Sequence, residues 1–157
     1  MATPSLAQGA CTASTEEDLR LVGGDIATEG SVQICHNSDW RHVCDDRWAK
    51  VDADVACKQL GYTRGAWRAT IRSEFVALVA VEFWLDEVEC TGSESKLADC
   101  TNDGWGVHNC QSSERAGVVC KAYRAAATGM PANSGTARAE DPLTAWRGDI
   151  SVADGLP

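Results

Sequence analysis

Apolar and polar residues alternate with a period of two in the first third of the chain, and that pattern predicts strands. Leu19-Arg20-Leu21-Val22 reads as one, ended by Gly23-Gly24. Ser31 to Cys35 alternates around Val32 and Ile34, and Trp40 to Cys44 is its expected partner. Asn37-Ser38-Asp39 supplies turn chemistry between them, so the pair reads as a hairpin. The spacing then changes. Ala53, Ala56, Cys57 and Leu60 share one face of a helix, which Asp52 can N-cap by accepting orphan backbone amides. Gly61 follows as its stop, so the predicted helix runs from about residue 52 to 60. A second helical turn is expected around Ser95 to Asp99, and Trp84 to Cys90 and Gly117 to Cys120 read as strands. There is no internal repeat.

Two segments break the pattern. Phe75 to Val81 is seven apolar residues in a row, readable as a buried strand or as an exposed adhesive edge. Beyond Tyr123 the chain is rich in Ala, Gly, Thr and Asp, with three of the four prolines and no cysteine. Such a stretch buries too little apolar area to offset its ordering entropy, so residues 124–157 are expected to be a disordered tail or linker despite Trp146. Residues 1–17 are small and polar and read as an N-terminal linker, leaving 18–123 as the single domain.

Composition narrows the function. The formal net charge of −9 argues against nucleic acid as a physiological target, because phosphate recognition needs a basic surface. No stretch approaches the ~18 apolar residues of a membrane-crossing helix. The eight cysteines lie 24, 9, 13, 33, 10, 10 and 10 positions apart, with no Cys-x-x-Cys of the kind that gathers sulfurs on zinc. Wide spacing in a small domain reads as disulfides, which persist in oxidising compartments. Met1 to Ala10 has neither a basic start nor an apolar core, so no secretory signal is visible. The cysteines carry more weight, and the chain is expected to be part of a longer secreted or membrane-anchored protein.

The last six cysteines stand inside specific motifs. They are Val43-Cys44-Asp45-Asp46-Arg47-Trp48, Asp54-Val55-Ala56-Cys57-Lys58-Gln59-Leu60-Gly61-Tyr62, Trp84-Leu85-Asp86-Glu87-Val88-Glu89-Cys90, Leu97-Ala98-Asp99-Cys100, Gly104-Trp105-Gly106-Val107-His108-Asn109-Cys110 and Ala116-Gly117-Val118-Val119-Cys120. With Leu19 to Gly24 in front, residues 18–123 resemble a scavenger receptor cysteine-rich domain. The resemblance implies an α+β fold, a small disulfide-rich domain in which a curved antiparallel sheet cradles one main α-helix. It implies the pairs Cys44–Cys110, Cys57–Cys120 and Cys90–Cys100. The larger, eight-cysteine group of the family has an extra pair near Thr28 to Gly30 and at Tyr62, which is absent here, so the chain is similar to the six-cysteine group. Cys11 and Cys35 are additional. They either bond to each other, tethering the N-terminal arm, or stay free or pair between molecules.

Asp45 and Asp46 follow Cys44 directly, and Asn109 precedes Cys110 with Glu114 four residues beyond. With Cys44 bonded to Cys110, these acids come together, and neighbouring carboxylates repel unless a cation screens them. Hard oxygen ligands suit calcium, or magnesium, better than zinc. The resemblance implies a divalent-cation site at Asp45, Asp46 and Glu114, and a second at Asp46, Asp86 and Asn109. Arg115 stands where the family usually has an aspartate, a cation beside the site that can weaken a metal or pair with one of its acids. The bland alternative is a set of loop-capping acids on a solvated surface.

Arg64, Arg68 and Arg72 recur every four residues around Trp67. Residues 41–72 carry seven Lys or Arg against four acids, and residues 73–123 carry three against nine, so one face is expected to be basic enough for anionic ligands. The alternative is a solvated loop whose arginines pair with local acids. His42 and His108, each close before a cysteine, suggest a zinc set, but the disulfide competes for those sulfurs. His36, His42 and His108 are therefore read as structural or surface residues. No catalytic residues are expected, since bonded cysteines are not nucleophiles and no Gly-x-Ser-x-Gly elbow occurs. Trp48, Trp84 and Trp105 read as packing residues, and no asparagine begins a glycosylation sequon.

The leading expectation is an extracellular scavenger-receptor-type module for cation-assisted recognition of polyanionic, microbial or host protein ligands, as in innate immunity. The alternatives are a non-catalytic accessory domain of a modular secreted enzyme, of serine protease or lysyl oxidase type, and an adhesive structural module.

Overall fold

The computed structural model describes residues 9–76 and 79–122. The first eight residues, Ala77 and Leu78 of the apolar run, and the expected tail at 124–157 lie outside them. Six strands are described: β1 (Leu19–Gly23), β2 (Glu29–His36), β3 (Asp39–Val43), β4 (Ala66–Thr70), β5 (Phe83–Leu85) and β6 (Gly117–Cys120). One α-helix, α1 (Lys50–Gln59), and short 3-10 turns at Ala13–Thr15 and Leu97–Asp99 complete the order.

The expected hairpin forms, with Cys35 opposite Trp40 and His36 opposite Asp39. Asn37 and Ser38 take the left-handed conformations its tight turn requires, at φ 51° and 67°. β2 is the central strand, pairing antiparallel with β1, β3 and β6. The path runs β4-β6-β2-β3-β5. The sheet is mixed rather than wholly antiparallel, because β5 pairs parallel with β3. Trp84 to Cys90 is a strand only through Leu85; Glu87 at φ 56° then turns the chain, and Glu89 makes an isolated bridge to Thr101.

Strand alternation puts Val32, Ile34 and Val43 on the inner face, where they meet Ala53, Val55, Ala56 and Cys57 of α1. Trp48 closes this core and donates its indole N–H to the Gly117 carbonyl at 2.8 Å. Gly117 is required there: a Cβ would lie 2.7 Å from the Gly30 carbonyl oxygen, where β6 and β2 meet.

The helix begins two residues before the expected start. Asp52 is in its first turn, and its carboxylate reaches back to the Ala49 N–H at 2.8 Å. Its other oxygen accepts the Cys90 N–H at 2.7 Å. These two charge-assisted bonds explain a fully buried acid, and they fasten α1 to the segment leading to Cys90. Gln59 does the same at the other end, accepting from Leu97 N–H at 2.8 Å and donating to the Glu17 carbonyl at 2.9 Å.

All eight cysteines are paired, as Cys11–Cys35, Cys44–Cys110, Cys57–Cys120 and Cys90–Cys100. The first ties residues 9–17 to the hairpin, where Glu16 also pairs with His36 and Trp40 donates its indole N–H to the Gly9 carbonyl. Tyr62, at the position of the larger group's extra cysteine, donates its hydroxyl to the Ala27 carbonyl at 3.3 Å. The described part of the apolar run is a loop rather than a strand, and Val76 is 64% exposed.

We expect non-reducing peptide mapping to return these four pairs. Replacing Cys57 and Cys120 together by alanine should lower stability by about 2–5 kcal/mol in chemical denaturation. Asp52→Ala should cost about 2–4 kcal/mol, since it removes a buried carboxylate that accepts from both the Ala49 and the Cys90 amides; a change under about 1 kcal/mol would show that water replaces the carboxylate.

Candidate functional site

At the end of β3 the chain enters a crowded corner. Cys44 N–H donates to the Leu85 carbonyl at 2.9 Å and Asp45 N–H to the Glu114 carbonyl at 2.9 Å, so Asp45 lies beside the segment carrying Glu114. The Cys44–Cys110 bond, with its Cα atoms 6.2 Å apart, delivers Asn109 to the same place. Asp86, just past β5, is buried; its Oδ1 accepts the Glu87 N–H at 2.7 Å and its Oδ2 faces the Asn109 N–H at 3.4 Å. The Asn109 side-chain amide lies between two acids, and with its nitrogen turned toward them it donates to Asp86 Oδ2 at 3.3 Å and Asp46 Oδ2 at 3.2 Å.

Asp46 is the hub. A carboxylate oxygen of Asp46 lies within 4.8 Å of one from Asp86 and one from Glu87, and a second set joins Asp46 to Glu114 within the same limit. The sulfurs of Cys44 and Cys110 are also in that second set, but their disulfide leaves the carboxylates as its ligand atoms. Burial, and then the charges of Asp86, Glu114, Glu87 and Asp45, hold the Asp46 carboxyl above its ordinary value. Burial is also the main reason Asp86 is raised.

Asp45, Asp46 and Glu114 line an open pocket of about 460 Å³ with Ile71, Arg72 and Ser113. Asp45 Oδ2 accepts the Arg72 N–H at 2.5 Å, and Glu114 Oε2 the Gln111 N–H at 2.8 Å. Each acid is thus positioned from the backbone while its remaining oxygen lone pairs stay available. The structure brings together all five residues expected to hold a cation: Asp45, Asp46, Asp86, Asn109 and Glu114. It adds Glu87, which the sequence signalled only by following Asp86. Arg47, left-handed at φ 66°, pairs with Glu87 at 2.5 Å and Glu89 at 2.9 Å, the nearest compensating charge on that side.

Arg115 does not join these acids. It makes no ion pair among the described residues, and its Nε donates to Ser73 Oγ at 3.0 Å. The reason is strand alternation: Glu114 and Arg115 are consecutive along the edge that bridges Cys44, so their side chains leave on opposite faces.

The arginine series does not form one patch. Period four describes a helix, whereas Trp67 and Arg68 lie on β4 and Arg72 in the loop beyond it. Arg68 is held in a two-pronged pair with Glu74, at 2.9 and 2.6 Å, and Arg72 lines the acidic pocket. A bulge between Ala66 and Arg68 leaves Trp67 67% exposed on the edge strand, with Lys121 Nζ 5.1 Å from its ring. Lys121 was not anticipated. His36 stacks on Trp105 at 3.8 Å and packs edge-on to Trp84, while His42 is buried in the sheet, both away from the acids.

A scavenger receptor cysteine-rich family model matches residues 22–121. The chain belongs to this family. The domain is 42% identical over 117 residues to a "Scavenger receptor cysteine-rich domain superfamily protein" of Patiria pectinifera and 47% identical over 103 residues to galectin-3-binding protein of Rattus norvegicus. These alignments take in 74% and 66% of this chain but only 10% and 18% of the relatives, so the chain spans a small part of their length. Among solved structures, the third such domain of murine neurotrypsin is similar at TM-score 0.58 and 43% identity, covering 65% of this chain and 94% of that one. The dimeric form of the mouse MARCO domain is similar at 0.54 and 38%, covering 65% and 93%. No helix of the described residues is long and apolar enough to cross a membrane.

A raised Asp46 has a testable sign. Its protonated form favours the fold, so the ionised form opposes folding at neutral pH when no cation is present. In chelator, Asp46→Asn should melt above wild type at pH 7. The gap should close as pH falls from above the ordinary 3.8 of an aspartate toward that value. A gap constant with pH would mean the substitution acts through packing.

Proposed function

We propose that this domain is an extracellular, non-catalytic recognition module that binds anionic ligands with the help of a divalent cation. The observation carrying this reading is Asp46, crowded by four other carboxylates, with no cationic side chain paired to it among the described residues. Calcium suits the donors, which are hard carboxylate and amide oxygens, and an open pocket leaves positions for water and ligand. Magnesium asks for a stricter octahedron and is the weaker competitor. Asp45, Asp46 and Glu114 would hold one ion, and Asp46, Asp86 and Asn109 a second, with Glu87 available once released from Arg47. The bound cation would present a positive centre on a domain that is otherwise acidic. It would hold a sulfate, phosphate or carboxylate of the partner, with Arg72 at the pocket rim.

Family membership supports a binding role. One relative is named for binding galectin-3, so host protein is one partner class for this chain, beside polyanionic and microbial surfaces. Four disulfides fit a secreted protein or an ectodomain. Trp67 on the exposed edge strand, with Lys121 beside its ring, is a second candidate contact that needs no metal.

Calorimetric titration should show calcium uptake by wild type at millimolar concentration and none by Asp46→Ala, whose disulfides stay intact and whose melting is not lowered. Binding to a sulfated polysaccharide should be lost in chelator. Binding that survives chelation would move recognition to Trp67, Arg68 and Lys121.

A further inference from the structure

Two consecutive residues at the rim of the acidic pocket hold a costly backbone conformation. Arg72 and Ser73 lie at φ 56° and 54°, a left-handed pair ordinarily given to glycine, asparagine or aspartate. They are the central residues of a turn that the Glu74 N–H closes on the Ile71 carbonyl at 3.2 Å. Other side chains keep such a conformation only where their surroundings over-determine it. Here the surroundings are Arg115 on one side of the turn and Asp45 on the other.

Arg115 sits opposite Cys44 in an isolated antiparallel bridge. The bonds that make this bridge come from neighbouring residues, Asp45 N–H to the Glu114 carbonyl and Ala116 N–H to the Val43 carbonyl, each at 2.9 Å. The N–H and C=O of Arg115 itself therefore face away from Cys44, and Ser73 takes both. Ser73 N–H donates to the Arg115 carbonyl at 3.1 Å, and Ser73 Oγ accepts the Arg115 N–H at 3.1 Å. The Arg115 side chain, only 6% exposed, adds a second donor to the same hydroxyl through Nε at 3.0 Å. With both lone pairs engaged, the hydroxyl sends its one proton to the Ser112 carbonyl at 2.9 Å. The turn is thus fastened to the segment that carries Glu114. Its other attachment is Asp45, whose Oδ2 accepts the Arg72 N–H at 2.5 Å.

These bonds close a ring, from Asp45 to Glu114 through the backbone, from Arg115 to Ser73 through the hydroxyl, and from Arg72 back to Asp45. We propose that Arg115, acting through Ser73, is a positioning residue for the pocket: it fixes the turn whose amide holds the Asp45 carboxylate in place to receive a cation. This role rests on the proposed reading of Asp45, Asp46 and Glu114 as cation ligands. Arg115 serves it by hydrogen bonding from the far side of the strand, without neutralising Glu114. A ligand oxygen held in advance loses less freedom when the ion arrives, so loosening the turn weakens binding while every acid is still present.

The test compares the full chain with Ser73→Gly, Arg115→Met and the double variant. Ser73→Gly removes the hydroxyl yet suits the left-handed turn, so it keeps the fold even if Arg115→Met does not. In calorimetry each single variant should raise the calcium Kd about tenfold or more. The double variant should bind no more weakly than Ser73→Gly, because both changes break one path. A merely structural role would lower melting and leave the calcium affinity of the folded protein unchanged. Hydrogen exchange at the Arg72 amide, followed by NMR in chelator, needs no metal. It should be slow in wild type and about tenfold faster in either variant. Wild type that takes up no calcium would sink the cation reading, and the exchange rates would still decide whether Arg115 sets the turn. Unchanged Arg72 protection in the variants, or full calcium affinity once that protection is lost, would overturn the positioning role.

Discussion

The Cys44–Cys110 bond is the constraint on which the rest of the functional corner depends. It joins the end of the hairpin to a long loop that has almost no regular structure of its own. Without it, Asn109 and Glu114 would be held beside Asp45, Asp46 and Asp86 only by single hydrogen bonds and one isolated bridge, against the mutual repulsion of the acids. A covalent tie can hold like charges at a distance that noncovalent packing of a small domain would not sustain. On the proposed reading, relief of that repulsion is what would favour a bound cation.

A domain of about a hundred residues has a thin core, and this one is stapled at each of its edges. Cys57–Cys120 fastens the helix to β6, Cys90–Cys100 closes the loop after β5, and Cys11–Cys35 holds the N-terminal arm on the hairpin. Buried polar groups complete the work. Asp52 links the start of α1 to Cys90, and Gln59 links its end to both the arm and the Leu97–Asp99 turn. The helix is thus clamped between polar anchors at its two ends and apolar packing along its length. That rigidity lets the acidic loops project from a fixed frame.

Charge is sorted by the sheet itself. Adjacent residues on an extended chain point to opposite sides, so Glu114 and Arg115 serve two separate environments one residue apart. The acidic one opens onto a solvent-exposed pocket; the basic one is buried. An arginine beside a carboxylate in sequence therefore does not neutralise it in space. The same reasoning accounts for the arginine series at 64, 68 and 72. Its residues belong to a turn, a strand and a loop, so a spacing of four does not gather them on one face; Arg68 pairs with Glu74 and Arg72 lines the acidic pocket.

The hairpin, the single helix, the strand at Gly117 to Cys120 and the membership of the family were legible in the sequence, because each is written in local spacing or in motifs around a cysteine. So were Asp45, Asp46, Asp86, Asn109 and Glu114, through those motifs. The cation they are proposed to hold rests on chemistry beyond their placement. Tertiary structure alone decided what depends on contacts between distant segments. It set the parallel pairing of β5 with β3, the helix start moved ahead of Asp52 by a bond to Cys90, and the bond between Cys11 and Cys35. It also placed Glu87 beside Asp46 and Asp86, set Arg72 at the acidic pocket and turned Arg115 away from it. Spacing along a chain records which side of a strand or helix a residue occupies, whereas its partner is fixed only when another segment arrives on that side.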